Sequence, residues 1–149
     1  MADESLIGKD LGTMTFPVDR SKVREFARSL GDRDPIYTDV EVARAAGYTN
    51  IPAPPTFVVS SAHWREEDNM IESLELDLKR VLHGEAGWEY FVPIVVGDEL
   101  TATRRVSDVV KRDGKRGGTM TMVSIQTEYT NQRGELAVRH TDVIVETGG

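Results

Sequence analysis

The spacing of hydrophobic residues along this chain changes once, near residue 74, from a helical period to a period of two. In the first half, Thr13-Met14-Thr15-Phe16 predicts a short edge strand ending at Pro17. Asp19 or Ser21 then suits the N-cap of a helix. Val23, Phe26, Ala27 and Leu30 fall at i, i+3, i+4 and i+7, one face of that helix. Gly31 is placed to end it as the C′ residue. A second, short helix is expected from Asp39 to Ala46, with Gly47 as its stop.

Pro54-Pro55-Thr56 reads as a helix start, because proline suits the first turn. The run behind it, Phe57-Val58-Val59-Ser60-Ser61-Ala62-His63-Trp64, is apolar or small on nearly every side, so this helix belongs inside something. From residue 74 the alternation takes over. Leu74, Leu76 and Leu78 alternate with Glu75, Asp77 and Lys79, the pattern of a half-buried strand. Trp88-Glu89-Tyr90-Phe91 leads to Pro93 and a Gly97-Asp98 turn. Glu99 to Val110 predicts a long strand. Met120 to Thr130 predicts another, with Met120, Met122, Ile125 and Tyr129 as its apolar members. The broken alternation from Met122 to Ile125 predicts a bulge there. Asn131-Gln132-Arg133-Gly134 is a hairpin turn, and Leu136 to Val145 is a last strand with Val143 and Val145 on one face.

Helices first and strands second predict an α+β domain rather than alternating βαβ units. Four or five antiparallel strands and one buried helix are satisfied by a curved sheet wrapped around the helix. Such a sheet leaves an edge open, so pairing with a second domain is expected. The 149 residues suit one domain, 1–149, with a real core.

Composition narrows the function classes. A net charge of -7 argues against nucleic acid, which needs clustered Lys and Arg. The dense basic patch Lys111-Arg112-Asp113-Gly114-Lys115-Arg116-Gly117-Gly118 reads as a solvated hairpin loop between strands. No apolar run is long enough to span a bilayer, and the acidic start Met1-Ala2-Asp3-Glu4-Ser5 is unlike a signal peptide, so a cytoplasmic protein without membrane partners is expected. Cysteine is absent, which excludes disulfides and thiolate metal sites. No two histidines have a metal-ligand spacing, and neither a Ser-His-Asp arrangement nor a phosphate-cradling glycine loop is present, so no metal and no cofactor are expected.

The segment with most chemical content is Gly31-Asp32-Arg33-Asp34-Pro35-Ile36-Tyr37, which places an acid and a ring around one turn. From Arg24 to Tyr37 the chain resembles the hydratase 2 motif of the MaoC-like dehydratases: Gly-Asp, any residue, Asn-Pro, an aliphatic residue, His. Ala45-Ala46-Gly47-Tyr48 and Ile51-Pro52-Ala53-Pro54-Pro55-Thr56-Phe57 resemble that family's approach to its central helix. Leu82-His83-Gly84-Glu85, Trp88-Glu89-Tyr90 and Pro93-Ile94-Val95-Val96-Gly97-Asp98-Glu99-Leu100 resemble its N-terminal-type domain. The resemblance covers almost the whole chain and implies a hot-dog fold. It also implies a 3-hydroxyacyl thioester substrate on CoA or acyl carrier protein, with water removed or added across C2 and C3. Histidine suits the base at C2, a carboxyl group the protonation of the leaving hydroxide, and backbone N–H groups at the helix start the thioester oxygen.

Two positions depart from the family. Its His is Tyr37 here, and a phenol with a reference pKa near ~10 replaces an imidazole near ~6.5. General-base catalysis is worth about 10²–10⁴ in rate, and most of that is lost with the imidazole. At the helix start the family's Ala-His-Gly is Ala53-Pro54-Pro55. Pro55 has no N–H to offer the thioester oxygen, so Thr56 or Phe57 has to replace it. Asp32 matches the catalytic Asp, and Asp34 replaces the family's Asn.

Each candidate also has a plain structural reading. Asp32 and Asp34 suit turn closure, and Tyr37 suits packing and hydrogen bonding. His83, beside Gly84-Glu85, is the remaining candidate base or a satisfied structural histidine. His63 reads as packing or interface and His140 as a solvated strand residue. Phe57, Val58 and Val59 are core first and acyl-tunnel lining second. The candidate catalytic residues are therefore Asp32, Tyr37 and His83, and the substrate-binding ones Asp34, Pro55, Thr56, Phe57 and Gly84. Three functional readings follow. The chain is an accessory acyl-binding subunit in a heterodimer with a catalytic MaoC-like chain, a self-sufficient homodimeric hydratase using Asp32 with His83 or Tyr37, or a non-catalytic acyl-thioester binder.

Overall fold

A computed structural model describes residues 2–66, 69–113 and 118–148. Its strands are β1 (Asp10–Pro17), β2 (Val81–Tyr90), β3 (Glu99–Asp113), β4 (Thr119–Thr130) and β5 (Leu136–Glu146). They form one antiparallel sheet in the order β1-β3-β4-β5-β2. The helices precede β2: α1 (Arg20–Ser29), α2 (Val40–Ala45), a 3-10 helix (Phe57–Trp64) and α3 (Met70–Ser73). This is the α+β hot-dog arrangement expected from the sequence, with β1 and β2 as the two edges.

The α1 stop follows the sequence expectation in detail. Gly31 sits at φ 75°. Gly31 N–H donates to Arg28 O at 3.0 Å and Asp32 N–H to Ala27 O at 3.0 Å, the paired bonds of a Schellman stop. The same pair closes α2 at Gly47 and delivers Tyr48. At the other end of α1, Asp19 holds the N-cap position, but its side chain makes no capping bond. Val23 and Ala27 are buried and Phe26 packs on the core, whereas Leu30, at the C-cap where the chain turns away, is 57% exposed.

The Phe57–Trp64 helix lies on the sheet. Phe57 and Val58 are fully buried, in a cluster with Phe16, Leu100, Tyr129 and Val138. Phe26 meets Phe57 edge-on at 5.7 Å and ties α1 to this helix. The helix is not enclosed all round, as its composition suggested: Val59 is 43% exposed, and Ala62 and His63 are exposed too. That uncovered apolar side is what a second domain would cover.

Three strand expectations are corrected. Residues 74–79 are not a strand. Leu74 N–H closes α3 on Met70 O at 3.0 Å, Glu75 turns through φ 57°, and Asp77 caps the next 3-10 turn. The alternating leucines come from that turn, which buries Leu74 and Leu76 and leaves Leu78 exposed. The bulge is not within β4, whose Thr121, Val123, Ile125, Thr127 and Tyr129 all face inward. The register shift lies in β3 between Val106 and Asp108, at Ser107. Met120 and Met122 mark the opposite face of β4, which produced the apparent break. His140 is not solvated: it is 6% exposed, stacked on Trp88 at 4.6 Å. On β5, Val143 and Val145 share a face, as expected, and it is the face opposite the buried Ile144. The basic loop's Gly114, Lys115, Arg116 and Gly117 lie outside the described residues.

Gly84 has a steric reason to be glycine. A Cβ there would meet Val145 Cγ2 at 2.8 Å and Val143 O at 3.2 Å, beside the β2–β5 register shift between His83 and Glu85. Gly84→Ala is expected to cost about 1–3 kcal/mol by overpacking. Urea unfolding measures it, and an unchanged midpoint would contradict the close approach.

Candidate functional site

The Gly31–Asp39 segment is a chain of side-chain-capped turns set on the end of α1. Asp32 Oδ1 accepts from Asp34 N–H at 3.0 Å, and Asp34 Oδ1 accepts from Ile36 N–H at 2.9 Å. Pro35–Tyr37 forms a 3-10 turn behind Asp34. Arg20 Nη2 donates to Thr38 O at 2.9 Å and ties the segment to the start of α1. Both carboxylates thus do the turn-closing work of the structural reading, each with one oxygen. Both also lie close enough to Tyr37 to act on its charge state. Burial pushes the Tyr37 phenol up from its ordinary pKa, and the charges of Asp32 and Asp34 push it further the same way. Tyr37 is a neutral hydrogen-bonding group at physiological pH, not a base.

An apolar cleft of about 320 Å³ lies at residues 52–55, the approach to the Phe57–Trp64 helix. Tyr48, Pro54, Pro55, Tyr90, Phe91 and Ile94 are among its walls. Backbone pairing holds the cleft open: Ala53 N–H donates to Ile94 O at 2.9 Å, and Val96 N–H to Ile51 O at 2.8 Å. Tyr90 Oη donates to Pro55 O at 2.9 Å. Of the two replacements for the missing Pro55 donor, Phe57 N–H is already given to Pro54 O at 2.9 Å. Thr56 is the one left. Tyr48 belongs to both parts, since it lines the cleft and acts on Tyr37.

His83 is elsewhere. It sits five residues along β2 from Trp88, roughly 16 Å at ~3.3 Å per residue. Its Nε2 is 3.0 Å from Asp142 Oδ1, and its side chain is 60% exposed. Asp142 Oδ1 is also 3.4 Å from His140 Nε2. The structure therefore brings together Asp32, Asp34 and Tyr37, places Pro55 and Phe57 at the neighbouring helix start, and puts His83 beside Gly84 in a separate group with Asp142 and His140. Reading the sequence missed Asp142, His140, Tyr48 and Tyr90. The i, i+2 spacing of His140 and Asp142 was a usable signal of a shared strand face. Their meeting with His83 depends on the β2–β5 pairing, which no local pattern announces. Among the described residues no group of three or more His, Asp or Glu is arranged to hold a metal ion, and no helix is long and apolar enough to cross a membrane.

Residues 5–140 match the family described as "FAS1-like, dehydratase domain region". A UPF0336 protein of Streptomyces coelicolor is 37% identical over 139 residues, 91% of this chain and 89% of that protein. Among solved structures, a MaoC-like dehydratase superposes with TM-score 0.83 at 26% identity, over 97% of this chain and 43% of that one. The HadBC (3R-hydroxyacyl-ACP dehydratase) complex from Mycobacterium tuberculosis superposes with TM-score 0.78 at 24% identity, over 94% of this chain and 96% of that one, a likeness of fold.

Burial depresses the His140 pKa, with His83 acting in the same sense and Asp142 opposing. An unfolded histidine takes its proton near ~6.5, and folded His140 only at lower pH. The neutral ring's contribution is therefore fully present above about pH 6.5 and is lost as pH falls through the folded pKa. Thermal melts from about pH 7.5 to about pH 5.5 are expected to fall more steeply for the wild type than for His140→Asn. Parallel curves would contradict this.

Proposed function

The chain belongs to the FAS1-like, dehydratase domain region family, and on that premise we propose that it is the accessory acyl-binding subunit of a (3R)-hydroxyacyl-thioester dehydratase. It pairs with a second MaoC-like chain that carries the intact Asp and His. The observation that carries this reading is Tyr37, where burial and two neighbouring carboxylates hold a phenol neutral at the position of the family's base. Pro55 adds a loss at the thioester-binding helix start. The uncovered side of the Phe57–Trp64 helix supports a partner, and so does the free edge of β2. That the similar HadBC structure is itself a complex of two chains supports a heteromer.

In the assembled pair the catalytic chain takes the C2 proton and protonates the leaving hydroxide. This chain holds the acyl thioester in register. Its apolar cleft covers the chain nearest the thioester, and the capped turns of Asp32 and Asp34 keep the wall rigid. Tyr37 Oη is a hydrogen-bond donor to substrate or water.

The test mixes the purified chain with its candidate partner and follows dehydration of a 3-hydroxyacyl thioester. A heteromer with raised turnover is expected. Tyr37→Phe in that heteromer is expected to cost no more than about tenfold, the worth of one hydrogen bond, against about 10²–10⁴ for a true base. No heteromer, or a base-sized loss at Tyr37, overturns the reading.

A further inference from the structure

A second cavity, of about 190 Å³, lies between the Phe57–Trp64 helix and the inward face of β4 and β5, apart from the cleft already described. Its walls divide by chemistry. Val59, Met70, Ile125 and Ile144 make an apolar side. Ser61, Tyr129 and His140 make a polar side, and all three are at least nine-tenths buried. The polar side is incompletely bonded. Ser61 Oγ and Tyr129 Oη share one long bond of 3.3 Å, and each hydroxyl retains capacity for another. His140 Nε2 is buried without a hydrogen-bond partner. Buried polar groups are normally paired, so this end of the cavity has room for a further partner. A cavity apolar along its walls and under-bonded at its end matches a ligand of the same pattern: an alkyl chain ending in an oxygen.

On the acyl-binding reading, Thr56 is the donor left for the thioester at the helix start. Ser61 is five residues further along the same 3-10 helix, ~10 Å at about 2.0 Å per residue. An acyl chain of medium length running along the helix ends at Ser61 and Tyr129. Asp142 lines that end too, with its Oδ1 3.4 Å from His140 Nε2. We propose that this cavity receives the far end of the acyl chain and selects chains that carry an oxygen there over plain alkyl chains. This rests on the acyl-binding reading and adds the substrate class. Arg65 and Arg104 also line the cavity.

The experiment titrates the full chain with two pantetheine thioesters, decanoyl and its ω-hydroxy analogue, by calorimetry. The wild type is expected to bind the ω-hydroxy chain about three- to tenfold more tightly, the worth of about one net hydrogen bond. Tyr129→Phe and Ser61→Ala each remove one oxygen, and each is expected to bring that ratio towards one. The three histidines give a separate readout in nitrogen NMR. The His140 ring signal is expected to move with the ω-hydroxy ligand and not with decanoyl, whether or not either variant folds. Equal affinity for the two ligands with an unmoved His140 signal overturns the proposal while leaving acyl binding intact. Binding of neither ligand overturns both.

Discussion

The candidate site depends on packing one helix onto one sheet face. Phe57 and Val58 are fully buried there against Tyr129, Val138 and Leu100. Each contributes about 1.5–3 kcal/mol by leaving water. The helix cannot tilt or slide without opening that contact, and its other supports include Phe26 from α1, Phe16 beside Trp64 at 5.3 Å, the Lys22 ammonium over the Trp64 ring at 5.8 Å and the Ser61–Tyr129 hydroxyl bond. The start of the helix thereby fixes the cleft, and its middle fixes the inner cavity. Its solvent side stays apolar and uncovered, so the force that builds the fold also leaves it unfinished.

How far the fold was legible in the sequence follows from which signals are local. Gly31 and Gly47 announced helix stops because a left-handed C′ residue is nearly a glycine property, and both stops are present. The long alternations of β3 to β5 gave those strands within a few residues. Leu74, Leu76 and Leu78 misled because a period of two over three residues is also produced by a helix stop followed by a turn. Met122 misled because a half-buried methionine on the outer face of β4 resembles an inward one. The β3–β4 bulge, at Ser107, shows in the sequence only as two polar residues, Ser107 and Asp108, between the inward Val106 and Val109.

The candidate site was legible where its parts are contiguous and opaque where they are not. Asp32, Asp34 and Tyr37 are held in one run of turns, so their proximity was written in their spacing. His83 looked like a replacement base because it stands in a family-like run, yet strand pairing carries it to Asp142 and away from Tyr37. His140 looked solvated because its neighbours Arg139 and Thr141 are polar. A strand with one buried face surrounds every inward residue with polar neighbours in sequence, and Trp88 stacking came from another strand.

The two departures at Tyr37 and Pro55 have different physical costs, and the difference matters for what kind of protein this is. A tyrosine in place of a histidine removes a group that titrates near neutrality but keeps a ring and a donor, so the wall keeps its shape. A proline in place of a glycine removes one N–H but stiffens the turn that starts the helix, and Tyr90 anchors that turn through Pro55 O. Both changes give up chemistry and retain, or add, rigidity. On the accessory-subunit reading, the capped turns and the cleft supply the binding surface, and the proton transfers belong to the second subunit.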